Sequence, residues 1–154
     1  MITRPTTAQL LGVVRAEIAE RVAPAVTDPQ VATSLQMIDH ILSTLIVRAD
    51  HELGWMADEM RTIEAVASQV AGSGLPGAGP VGEALAEFVS RRSASLHTAD
   101  VTEDYNRASE VLSRAVEATS AERDGLRDTV LELLATRLAH EETVIGDFQL
   151  VGRS

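Results

Sequence analysis

The 154-residue chain carries 23 acidic residues against 13 arginines, has no lysine and no cysteine, and bears a formal net charge of −10. That balance excludes a nucleic-acid partner, whose phosphates need clustered cations. Without cysteine there is no disulfide framework, no thiolate metal site and no cysteine nucleophile.

The length suits one domain, able to bury roughly two thirds of its unfolded surface. No run approaches the roughly 20 apolar residues of a membrane span, so no membrane role is expected. The opening Met-Ile-Thr-Arg-Pro-Thr-Thr lacks the basic start and apolar core of a signal peptide, which predicts a cytoplasmic protein.

Thr6 or Thr7 is placed to cap a first helix, with Leu10, Leu11, Val14, Ile18 and Val22 on one face and Pro24 as its limit. Asp28-Pro29 marks a second start, an N-cap acceptor followed by proline at the first helical position. From there to about Val70 the apolar residues keep a helical period. Leu35, Leu42, Ala49, Met56, Ile63 and Val70 recur every seven, and Ile38, Leu45, Leu53, Met60 and Ala67 fill the gaps. Met37, Ile41 and Val47 leave that stripe, which marks a helix with neighbours on several sides. Gly54, beside the polar Asp50-His51-Glu52, is the point where this helix would break and fold back if it is not continuous.

Residues 72–80, rich in glycine and proline, read as a flexible linker inside the domain. A third helix is expected from Val81 or Gly82, carrying Leu85, Phe88, Val89 and Leu96. Thr98–Thr102 reads as a turn, a fourth helix carries Tyr105, Ala108, Leu112, Ala115 and Val116, and Thr119 or Ser120 is the expected cap of a fifth with Leu126, Val130, Leu133 and Leu134. Gly146 marks its end, and Gly152–Ser154 is tail. The fold expected is all-α: one domain over 1–154, an antiparallel bundle of about five helices around one long central helix.

The linker twice spells G-x-G-x-x-G, at Gly72, Gly74, Gly77 and at Gly77, Gly79, Gly82. A dinucleotide site needs a strand before the glycines, whereas here a helix precedes them and Pro76 and Pro80 remove amide donors. It reads as a connector, and no cofactor is expected. His40, His51 and Asp58 share a helix face, but the two histidines are three turns apart, roughly 16 Å, too far to share an ion. No metal site is expected, and neither these histidines nor His140 shows a role.

Charged residues on core-facing positions carry more information. Glu52 and Glu59 stand where the Ile38 and Leu45 stripe would continue, Arg137 and Glu141 fall within the apolar face of the fifth helix, and Arg92 lies between Phe88 and Leu96. Such groups are costly unless paired, so the glutamates are expected to meet the arginines. The competing reading is a polar pocket, in which the same five residues hold an acidic or amide-bearing small ligand. Trp55, Met56, Met60 and Ile63 are the candidates for an interface. No Ser-His or other catalytic constellation is visible, so an enzyme is the less favoured reading.

Arg4-Pro-Thr-Thr-Ala-Gln-Leu-Leu11, Val14-Arg-Ala-Glu-Ile18 and Val22-Ala-Pro-Ala-Val26, with Leu35-Gln-Met-Ile-Asp-His-Ile-Leu42 and Val47-Arg-Ala-Asp-His-Glu-Leu-Gly-Trp-Met56, carry a resemblance over roughly the first third of the chain. They resemble a family of helical proteins of actinobacteria and other bacteria, encoded or fused near acyl-CoA dehydrogenases and aminoglycoside-type phosphotransferases. The family has no assigned activity or catalytic residues, so the resemblance implies an accessory role around acyl-CoA metabolism and no mechanism. The reading is a non-catalytic bundle acting through protein contacts, as a homodimer or an accessory subunit to a protein partner. The alternative is a small-molecule-binding or enzymatic bundle with an internal Arg/Glu pocket.

Overall fold

A computed structural model of the chain describes residues 4–122 and 125–146. Every regular element among them is helical. The helix α1 (Thr7–Glu17) continues into a π turn (Ile18–Val22) and a 3-10 turn (Ala23–Ala25). Then follow α2 (Pro29–Ala71), α3 (Ala78–Arg91), α4 (Thr98–Thr119) and α5 (Gly125–Ile145). The fold is an all-α bundle. The described residues group into two compact units, residues 4–52 with 141–146, and residues 53–122 with 125–140.

In the first unit, Thr6 caps α1 through a reciprocal box: Gln9 N–H donates to Thr6 Oγ1 at 3.2 Å and Thr6 N–H to Gln9 Oε1 at 2.9 Å. Pro24 has no N–H to offer the Glu20 carbonyl, and the helix widens just before it, with Ala23 N–H reaching back to Ile18 O. Asp28 Oδ1 accepts from Gln30 N–H at 2.7 Å and opens α2. That helix then runs 43 residues, about twelve turns, through Gly54 without interruption. Arg15 clamps Asp39 with two bonds, Nε to Oδ1 at 2.7 Å and Nη2 to Oδ2 at 3.0 Å, joining α1 to α2. Ala8 is the one buried residue among the described residues of this unit.

The second unit holds the core. Met60, Ile63, Val66, Ala67 and Val70 of α2 pack with Val81 and Phe88 of α3, Val101, Ala108, Val111, Leu112 and Ala115 of α4, and Val130 and Leu133 of α5. Burying side chains of this size stabilises by roughly 1.5–3 kcal/mol each. Alanines at 67, 108 and 115 let the helix backbones approach closely.

Three boundaries differ from those read in the sequence, and a fourth, at Gly146, agrees. The linker ends at Gly77, because Ala78, Gly79 and Pro80 already form the first turn of α3 and proline is at home there. Thr98–Thr102 is the first turn of α4; the connection is residues 92–97, where Leu96 is 87 % exposed instead of lying on α3. Thr119 ends α4 rather than capping α5, its hydroxyl buried and donating to Ala115 O at 2.8 Å. Gly146, at φ 62°, stops α5 in the left-handed conformation that suits glycine, with its N–H on Glu142 O at 2.9 Å. The tail expected at Gly152–Ser154 lies outside the described residues.

The linker is also not a free connector. A Cβ at Gly77 would stand 2.7 Å from Ala118 Cβ and 2.8 Å from its Cα, so the turn is pressed against α4. Gly77→Ala is expected to destabilise by about 1–3 kcal/mol, as overpacking does. Gly79→Ala, with nothing within 4 Å of its Cβ, is expected to be neutral or mildly stabilising. Urea unfolding of the two variants checks this difference.

The clamp between α1 and α2 carries a pH dependence. The hydrogen bonds from Arg15 hold the Asp39 carboxyl below its ordinary value, outweighing the opposing effect of partial burial. A carboxyl lowered on folding contributes stability above its unfolded value of about 3.9, and that contribution is lost as pH falls through the folded value. Both side chains are about two fifths exposed (40 % and 43 %), so the contribution is at most about 1 kcal/mol. Asp39→Asn should therefore lower stability slightly at pH 7, with a gap from the parent chain that closes as pH falls below the unfolded carboxyl value of about 3.9 and through the lower folded one. Thermal melts of both chains across that range measure it.

Candidate functional site

Glu59 is one of the two glutamates that the sequence places on the core face of α2, and its side chain is 5 % exposed. The four groups around it come from all but one of the helices of its unit. Tyr105 of α4 donates its hydroxyl to Oε2. His140 of α5 places Nδ1 2.7 Å from Oε1. Arg137, one turn earlier on α5, brings Nε to 3.8 Å from Oε2, lays its guanidinium over the Tyr105 ring at 4.8 Å, and donates from Nη2 to Ser109 Oγ at 3.1 Å. Trp55 stacks on the His140 ring, centroids 4.4 Å apart and planes 7° from parallel. A buried carboxylate is tolerated only with such partners, and here each of its oxygens has one.

Of the five residues expected in a polar core, two meet, Glu59 and Arg137. Glu52 pairs instead with Arg48 on its own helix, Nε to Oε1 at 3.0 Å. Arg92 closes α3, pairs with Glu64 at 3.1 Å and lies over the Phe88 ring at 5.7 Å. Glu141 is exposed. The positions expected at an interface fare differently again. Met60 and Ile63 are buried in the core, Met56 packs against it, and Trp55 is half-buried against His140. They are core residues because α3, α4 and α5 close over the C-terminal half of α2.

Tyr105, Ser109 and His140 completed the cluster without being singled out in the sequence. The available signal was the Arg137–His140 spacing of three, which sets both side chains on one face of α5. A second buried carboxylate, Asp104, accepts from Ser93 N–H at 2.8 Å and from Arg107 Nη1 at 3.0 Å, and so anchors the α3–α4 connection.

Carboxylate and imidazole in this arrangement could orient a base. A cavity of about 240 Å³ beside the pair is lined by Asp58, Glu59, Thr62, Thr129, Glu132, Leu133, Thr136 and His140. Its three threonines donate to carbonyls of their own helices, those of Asp58, Gly125 and Glu132. Neither Arg92 nor Arg137, the arginines expected to hold an acidic ligand, lines it. Among the described residues no group of three or more His, Asp or Glu is placed to hold a metal ion.

The larger anomaly is apolar. In the first unit Leu10, Val13, Val14 and Val22 are 53, 68, 49 and 43 % exposed, and on α2 Val31, Met37, Ile38, Ile41 and Leu45 are 46, 58, 40, 53 and 41 % exposed. On α5, Leu131, Leu138 and Ile145 recur every seven residues and are 48, 55 and 58 % exposed. No family model, curated protein or solved structure matches the chain.

The polar cluster sets the cost of two variants. Tyr105→Phe removes a hydrogen bond to a buried charged group and should cost about 1.5–3 kcal/mol. Arg137→Ala removes the 3.8 Å contact to Glu59, the hydrogen bond to Ser109 Oγ and the cation over the Tyr105 ring, and should cost about 2–4 kcal/mol. Chemical denaturation measures both; a loss below about 0.5 kcal/mol for either variant would contradict the partner assignment.

Proposed function

We propose that the chain is a non-catalytic helical bundle that acts through protein–protein contacts made by its exposed apolar helix faces. The observation that carries this reading is the run from Val31 to Leu45 on α2, where five large apolar side chains stay 40–58 % exposed while the same helix is buried from Glu59 to Val70. An apolar patch of that extent is as large as the largest on soluble monomers, and such patches are often interaction sites. The self-contained Glu59 cluster supports the same reading, because its polar groups are directed at one another rather than at a ligand.

Two partners fit, a second copy and a different protein. Leu131 and Leu138, exposed seven residues apart on α5, leave room for the latter as well, in the accessory role around acyl-CoA metabolism that the family resemblance implies.

Sedimentation velocity of the purified chain and size fractionation of host extract test the reading together. The chain should run above its 16.4 kDa mass in at least one of the two. Ile41→Glu or Leu138→Glu should return it to that mass with helical content unchanged, since both positions are exposed. A 16.4 kDa species throughout, indifferent to both substitutions, would contradict it.

A further inference from the structure

Resting on that reading, we propose that the occupant of the α2 face is a second copy of this chain, whose α2 lies antiparallel to the first about a two-fold axis. Val31, Ser34, Ile38, Ile41, Leu45 and Arg48 follow one another at spacings of three and four, the a and d positions of a heptad seam, and all six are exposed. The side of α2 that meets α1 is a different one. Asp39, held by Arg15, lies 160° around the helix from Ile41 at about 100° per residue.

The seam is the right size to meet itself. Val31, Ile38, Ile41 and Leu45 of the seam, with Met37 flanking it beside Ile41, together expose on the order of 400 Å² of apolar surface, the size of the largest patches found on monomers. Doubled across a two-fold axis, and at the roughly 65 % apolar content of homodimer interfaces, this gives about 1,200 Å² in total. That is the lower end of specific, stable interfaces, which start at about 1,200 Å².

An isologous interface requires a patch complementary to itself, and the α2 sequence meets that condition in one orientation. Antiparallel seams pair a with d. Ile38 then packs on Ile41 of the second copy on both sides of the axis, and the large Leu45 faces the small Ser34. Arg48, which pairs with Glu52 on its own helix, lies over Val31, one turn from the second copy's exposed Asp28, so the guanidinium stands between carboxylates of both copies. The parallel alternative stacks Arg48 on Arg48 and Glu52 on Glu52, like charges in two successive layers, and Ser34 on Ser34 at the other end. Size and charge both select the antiparallel pair.

Because the chain has no cysteine, single thiols report the geometry without background. Chains carrying Ser34→Cys and Leu45→Cys are mixed at tens of micromolar and treated with a short bis-maleimide. The proposal expects the mixed 34–45 product to dominate, with at least a tenfold loss of it when Ile41→Glu is added. Dominant 34–34 and 45–45 products would overturn the orientation. No cross-link, with a single-chain mass at 100 µM, would overturn the second copy as occupant. In that case a larger species in host extract, lost with Ile41→Glu, would still leave the protein-contact reading standing, so the two failures are distinguishable.

Discussion

Everything in this chain follows from how α2 is covered. It is one helix of 43 residues, yet its neighbours bury only its C-terminal portion. From Glu59 to Val70 it meets α3, α4 and α5, and Ile63, Ala67 and Val70 are all but sealed from solvent. From Val31 to Leu45 it is equally apolar, but α1 contributes a single buried residue, Ala8, and one ion-pair clamp. Hydrophobic stabilisation scales with the area removed from water, so the second unit carries most of it and the first is thinly held.

The polar groups fall into the same division. In the second unit the Glu59 carboxylate and the Asp104 carboxylate are buried, and each is answered by side chains or amides from elsewhere in the unit. Such pairs add little net stability over an apolar packing of the same volume, but breaking one is costly, so they fix the register of the helices. Glu59 ties α2 to α4 and α5, while Asp104 ties α4 to the connection after α3. In the first unit the charges are surface pairs, such as Arg48 with Glu52, that leave the apolar strip between them exposed.

The helices were legible because the signals are strong and local: a capping threonine at Thr6, the Asp28-Pro29 start, and an apolar period kept over the whole of α2. The charged core position Glu59 was legible too, since it interrupts the stripe that Ile38 and Leu45 set up. Its partners were not, because Tyr105 and His140 lie 46 and 81 residues away and nothing local announces the meeting. The sequence also could not say which part of α2 the later helices would cover. Periodicity gives the face of a helix but not the position of its neighbours along it, so it marks Met60 and Ile63 as apolar without showing that α3, α4 and α5 bury them. Glycine raised a similar ambiguity at Gly77, where a residue typical of a loose linker serves a tight approach to Ala118.

If the exposed half of α2 is an interface, its backbone should be protected from exchange only when partners are present, whereas the covered half should be protected always. Amide hydrogen exchange of the purified chain at about 1 µM and about 100 µM measures both halves in one molecule. The account predicts that protection over residues 31–45 rises with concentration while protection over residues 60–70 stays high and constant. Equal, concentration-independent protection in the two segments would contradict it.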